Sequence, residues 1–137
     1  MQQHHPGLYL CTRALWQIPS QLEAALGLEL RVPQKLMLAA YPKGAHYRRH
    51  YDSYQGADIP RLVTVLLYLD WRPQRGGELR VLMPGDEPRV ERTIEPKPGR
   101  LVVFFAQEVE HEVMMSEGER FALTLWIWDR KKDRYGR

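Results

Sequence analysis

The chain has 137 residues, 44% hydrophobic and 27% charged, with twenty basic and seventeen acidic side chains and a net charge of +3. That is one domain, long enough to bury roughly two-thirds of its unfolded surface, and no apolar run reaches the roughly 18 residues of a membrane-spanning helix. The polar first seven residues lack the layout of a signal peptide, and a single cysteine, Cys11, excludes an internal disulfide, so a cytoplasmic protein is expected.

In chain order, the first element is a short helix. Pro19-Ser20 reads as its start, Gln21 to Leu26 as good helix material, and Gly27 as its end. Eight strands follow, over Lys35–Tyr41, Tyr47–Asp52, Leu62–Asp70, Glu78–Met83, Val90–Glu95, Arg100–Ala106, Glu110–Met115 and Phe121–Asp129. Turn signals separate them: Pro42-Lys43-Gly44, Gly56 with Pro60, Pro73 with Gly76-Gly77, Pro84-Gly85-Asp86, Pro96 to Gly99, and Glu117-Gly118-Glu119. This spacing predicts an all-β core, and eight strands fit a jelly roll, the double-stranded β-helix. The apolar runs Leu62–Leu69 and Leu101–Phe105 are expected in central strands buried on both faces, with a small-ligand site at the mouth of the barrel. The organisation is then a support segment at 1–34, the domain proper at 35–129 and a basic tail at 130–137. The tail is expected to be solvated and frayed rather than to grip nucleic acid.

His50-Tyr51-Asp52 ends a predicted strand, so the imidazole and the carboxylate project on one face and can take adjacent sites on one cation. The motif is weak alone: five histidines and seventeen acids in 137 residues give about 0.6 such pairs by chance. His111, opening a later strand, offers a third ligand. Two imidazoles and one carboxylate form the facial triad of non-heme iron(II) oxygenases, which leaves three positions open. His4, His5 and His46 are read as structural or surface residues.

Nine residues after His111 comes Arg120, which shares a strand face with Thr124 and Trp126. If that face looks into the barrel, the guanidinium is a buried charge needing an anion, and a dicarboxylate cosubstrate gripped by two parallel hydrogen bonds would supply it. Pairing with Glu117 or Glu119 at a strand edge is the equal alternative.

Tyr41-Pro42, His50-x-Asp52, Arg61 to Leu69, Gly76-Gly77-Glu78-Leu79, Ile94-Glu95-Pro96, Arg100 to Phe105, His111-Glu112-Val113 and Arg120 to Trp126 occur in an order that resembles the prolyl-hydroxylase branch of the 2-oxoglutarate oxygenases. The nearest likeness is to the hypoxia-inducible-factor prolyl hydroxylases and their bacterial counterparts, over about residues 36–129. The resemblance implies a peptidyl-proline hydroxylase using iron(II), 2-oxoglutarate, O2 and ascorbate as reductant. It implies His50, Asp52 and His111 as iron ligands, and Arg120 and Tyr68 on the far carboxylate of 2-oxoglutarate. Tyr41, Thr124 and Trp126 match residues lining or neighbouring that pocket, and Arg61 a basic residue beside the protein substrate. Leu66, Val103, Phe105 and Leu125 are expected as its dry walls.

This chain departs from the family in a short segment before Lys35, a longer loop from Ser53 to Pro60 and a shorter turn from Tyr41 to His50. Substrate identity therefore does not transfer. An oxygenase acting on a small molecule or nucleic acid, and a non-catalytic module that binds iron and 2-oxoglutarate, are the competing expectations.

Overall fold

The computed structural model describes residues 6–58, 60–69 and 76–132. Of the sequence features above, His4, His5, Asp70, Pro73 and residues 133–137 of the basic tail lie outside the described residues. Among the described residues, nine strands form two facing antiparallel sheets with one α-helix outside: a jelly roll, as expected.

Helix α1 runs from Pro6 to Leu26, thirteen residues earlier than its expected start. The preference of proline for a first helical position holds here, but for Pro6 rather than Pro19. Pro19 lies buried inside the helix, where its missing N–H leaves the Leu15 carbonyl without its helical donor. The end at Gly27 is as expected: Gly27 N–H donates to the Glu23 carbonyl at 3.0 Å, and φ is +64°, a left-handed cap that glycine takes without steric cost. The segment before Lys35 is thus a six-turn helix followed by a two-residue strand, a fuller brace than the sequence suggests.

The strands are β1 (Leu30–Arg31), β2 (Met37–Tyr41), β3 (Tyr47–His50), β4 (Arg61–Tyr68), β5 (Leu79–Leu82), β6 (Glu91–Ile94), β7 (Leu101–Phe105), β8 (Glu110–Val113) and β9 (Arg120–Asp129). The larger sheet has the order β1-β9-β4-β7, with β2 also paired to β9; the smaller is β3-β8-β5-β6. Alternation along β4 and β9 divides their duties. Val63, Val65, Leu123, Leu125 and Ile127 face outward and pack with Leu15 and Leu30 in one buried cluster, joined by Cys11, Trp16, Ile18 and Leu22 of α1. The intervening side chains Thr64, Leu66, Tyr68, Arg120, Ala122, Thr124 and Trp126 line an interior cavity. A second cluster of Leu79, Val81 and Val113, joined by Leu66, Val102 and Phe104, fills the space between the sheets.

The expectation for β4 holds, since it is central and largely buried. That for Leu101–Phe105 does not. β7 is the edge of the larger sheet, and its burial alternates, with Leu101, Val103 and Phe105 exposed. An apolar run cannot report whether a strand has one neighbour or two. The wall residues change accordingly. Leu66 lines the cavity, but its partners are Phe104 and Leu79; Val103 and Phe105 sit on the opposite face of β7, and Leu125 faces α1. Beyond β9, Arg130–Lys132 form a 3-10 turn against Glu29, whose carbonyl accepts from Arg130 N–H at 3.0 Å.

Candidate functional site

Register brings two histidines together. In the β3–β8 ladder His50 pairs directly with His111, and the ring centroids lie 4.3 Å apart. Asp52 arrives differently from the sequence reading. Strand β3 ends at His50, so simple alternation does not place the carboxylate. The Ala106 carbonyl does, accepting from Asp52 N–H at 3.1 Å and Ser53 N–H at 3.2 Å. The outcome is the expected cluster: His50 Nε2 lies 3.2 Å and His111 Nε2 3.4 Å from Asp52 Oδ1, and one ligand atom from each of the three falls within 4.8 Å of the others.

The donor set fits a cation. His50 Nδ1 meets the Arg48 carbonyl at 2.6 Å and His111 Nδ1 the Val109 carbonyl at 3.0 Å. A carbonyl only accepts, so each Nδ1 carries a proton, and Nε2 is the nitrogen each ring turns toward Asp52, a donor to Oδ1 when it carries a proton and a ligand to a cation when it does not. Asp52 Oδ2 is already engaged, accepting from Thr64 Oγ1 at 2.6 Å and Trp126 Nε1 at 3.3 Å. Oδ1 is therefore the oxygen presented beside the imidazoles. Burial opposes ionisation of Asp52, but hydrogen bonds from His111, Thr64 and Trp126 outweigh it and hold the pKa at about 2. Burial pulls His111 down, and its bonds to Asp52 and the Val109 carbonyl outweigh that, so its pKa is raised. Two nitrogens and an oxygen, with no thiolate, suit iron(II).

The same cavity, about 410 Å³, reaches Arg120, Tyr41 and Tyr68. Arg120 is 3% exposed. Its Nε donates to the Gly77 carbonyl at 3.0 Å, and its guanidinium stacks 4.5 Å from the Tyr41 ring and 5.1 Å from the Tyr68 ring. No carboxylate forms an ion pair with it among the described residues, so the alternative pairing with Glu117 or Glu119 is not found. Burial lowers its pKa, but a guanidinium is not deprotonated in proteins and the charge stays. Burial likewise raises Tyr68 and Tyr41, keeping both as neutral phenols. The Tyr68 hydroxyl is buried without a hydrogen-bond partner, a costly state in a folded interior. A buried cation and an orphaned donor in one cavity fit an anionic ligand.

The nine residues expected as metal ligands, cosubstrate-pocket residues or substrate contact all line this cavity. Thr124 sits between Arg120 and Trp126 on the inner face of β9, 3% exposed. Trp126, expected beside the cosubstrate pocket, also bonds Asp52. Arg61 lies with its guanidinium 4.1 Å over the Trp126 ring and donates to the Asp52 carbonyl at 3.4 Å. Two contributors were missed. Thr64 carries the shortest bond to Asp52; its signal was a hydroxyl in phase with Tyr68 inside an apolar run. Gly77 figures in the sequence as a turn residue and a family landmark, with no role at the site. Its φ is +74°, and a Cβ there would meet Arg120 Cδ at 3.0 Å, so glycine lets that side chain pass.

Comparisons with known proteins give the family. Egl nine homolog 1 of Rattus norvegicus is 38% identical over 100 residues, covering 69% of this chain and 28% of the relative. Its Mus musculus and Homo sapiens counterparts are covered to 24% and 22%, so the chain spans about a quarter of the length of these curated relatives. Among solved structures, a Pseudomonas putida prolyl-4-hydroxylase matches with a TM-score of 0.73 and 39% identity, over 85% of this chain and 64% of that one. A Trichoplax adhaerens prolyl hydroxylase, solved with a peptide fragment of the hypoxia-inducible-factor oxygen degradation domain, matches with a TM-score of 0.78 and 29% identity, over 95% and 60%. The model of the 2OG-Fe(II) oxygenase superfamily matches residues 36–128, more than half of the sequence, and the chain belongs to that superfamily.

Proposed function

We propose that this chain hydroxylates a prolyl residue of a protein or peptide. O2 supplies one oxygen atom to the prolyl carbon and one to 2-oxoglutarate, which leaves as succinate and carbon dioxide. The observation that carries the reading is one cavity holding both a His-Asp-His cluster and a buried arginine with no carboxylate partner among the described residues. The relatives above, named as prolyl hydroxylases, support proline as the target.

In this reading His50 Nε2, Asp52 Oδ1 and His111 Nε2 hold iron(II), and the bound metal supplies oxygen activation. Thr64 and Trp126 orient Asp52 by holding its other oxygen. Arg120 and Tyr68 grip the distal carboxylate of 2-oxoglutarate, with Tyr41 stacked on the guanidinium and Thr124 beside it. Leu66, Leu79 and Phe104 keep the chamber dry. Arg61, stacked on Trp126 at the cavity wall, meets the polypeptide substrate. Ascorbate serves as reductant. The lone Cys11 suits a cytoplasmic location; no described helix is long and apolar enough to cross a membrane.

The test is anaerobic purification, addition of iron(II), ascorbate and 2-oxoglutarate, and mass spectrometry of proline-containing proteins. The expected result is succinate, together with a gain of one oxygen atom on a proline. His50→Ala and Asp52→Ala should each reduce both products to background. Turnover that survives both changes would overturn the metal assignment. Oxygen added to a base or a free metabolite, with none on proline, would overturn the substrate class.

A further inference from the structure

The outer face of the smaller sheet carries a lattice of charges behind the two histidines, and it reaches the cavity at Tyr51. Glu110 and Glu112 flank His111 in β8 and point to this side. Glu112 Oε1 is held by Arg80 Nη1 at 3.2 Å and by Arg49 Nη2, from the residue before His50, at 3.4 Å. Arg89, in the loop joining β5 to β6, makes the other half. Its Nε lies 2.8 Å from Glu87 Oε1, its Nη2 2.9 Å from Glu110 Oε2, and its Nη1 donates to the Tyr51 hydroxyl at 3.3 Å.

These partners are not arbitrary surface groups. Tyr51 is the residue between His50 and Asp52. Glu110 immediately precedes His111. One planar guanidinium, each nitrogen on a different partner, thus joins the two segments that carry the candidate metal ligands. The Arg89 and Glu110 side chains are only 20% and 19% exposed, so this contact is more sheltered than an ordinary surface pair, whose worth is small. The fixed fork of arginine suits a three-way contact that a point-charge ammonium cannot copy.

We propose that Arg89 is a positioning residue for the metal centre, holding the His50–Asp52 segment in register with His111 from behind the sheet. This rests on the prolyl-hydroxylase reading above. Arg89 touches neither metal nor substrate; it acts through Tyr51 and Glu110. Groups that orient ligands from outside the coordination sphere typically change metal affinity by about 10- to 100-fold when removed.

The experiment titrates Mn(II), a stand-in for iron(II) that does not oxidise in air, into the metal-free full chain. Bound and free ion are separated by the electron paramagnetic resonance signal of free Mn(II). Arg89→Gln is expected to weaken binding about tenfold, Tyr51→Phe to weaken it less, and Arg89→Lys to fall between parent and Arg89→Gln. Arg92→Gln, which removes the same charge from an exposed position on β6, should leave affinity unchanged. Parent-like affinity in Arg89→Gln, or equal loss in Arg92→Gln, overturns the proposal. If Arg89→Gln does not fold, Tyr51→Phe decides: a weakened Kd supports the positioning role and an unchanged Kd ends it. A parent chain that does not bind Mn(II) at all overturns the underlying reading, and this inference falls with it.

Discussion

Asp52 illustrates how one side chain is prepared for a cation. Its carboxylate is largely buried, which disfavours charge, yet its pKa is held at about 2 by the bonds it accepts. Thr64 supplies the shortest of these, 2.6 Å to Oδ2. Replacing Thr64 by Val keeps shape while deleting the donor. Oδ2 would then keep only the 3.3 Å indole bond from Trp126, and the carboxylate could rotate both oxygens toward the imidazoles. Thr64→Val should weaken Mn(II) binding about tenfold while the chain stays folded; calorimetric titration checks this, and an unchanged Kd would argue that Trp126 alone orients Asp52. The three ligand candidates and Arg120 were legible through the order of landmarks that resembles the family, since His-x-Asp alone is a weak motif and Glu117 or Glu119 could equally have paired with Arg120. Thr64 was harder to see. A threonine in an apolar strand reads as core, and only the cross-sheet approach of the loop after β3 gives its hydroxyl a purpose. Gly77 was hidden for a similar reason: its contact is with Arg120, 43 residues away.

At the scale of elements, strands were more readable than their neighbours. Turn residues separate the predicted strands everywhere except at Gln107-Glu108-Val109, so their existence and order came through. β1 was not seen because two residues show no alternation; it exists through its pairing with Asp129 and Trp128 at the end of β9. The early start of α1 was obscured by Pro19, which lies in the helix interior where proline is normally excluded. What tolerates it is tertiary packing. Leu15, 1% exposed, and Pro19 are the buried residues of the helix, and Leu15 joins β4 and β9 in one cluster. Leu15→Ala should therefore destabilise the domain by about 3 kcal/mol. The measurement is the urea midpoint, with the denaturant slope unchanged. A loss below about 0.5 kcal/mol, the range of surface substitutions, would mean that α1 is peripheral to the fold rather than a brace for the sheet carrying Thr64, Arg120 and Trp126.

Across the whole molecule, the site is where the two sheets meet. His50 and His111 belong to the smaller sheet; Thr64 and Trp126, which hold Asp52, belong to the larger. A cation bound by the triad would tie the sheets together, and metal at about 100 times its Kd adds about 2.7 kcal/mol to stability. The metal-free protein has only protons for this task. Asp52, with its pKa lowered from 3.8 to about 2, contributes stability that is present above 3.8 and lost as pH falls toward 2. His111, with its pKa raised above 6.5, contributes stability that is fully present below 6.5 and lost as pH rises through the raised value. The metal-free chain should thus weaken on the alkaline side as the His111 proton departs. A divalent cation takes the place of that proton and needs the neutral ring. The rise in melting temperature on adding Mn(II) should accordingly be larger at about pH 8 than at about pH 6, where protons compete for Nε2. Scanning fluorimetry at the two pH values, with and without metal, reads this directly. An equal or smaller rise at the higher pH would show that the two imidazoles and the carboxylate do not act as one cation site.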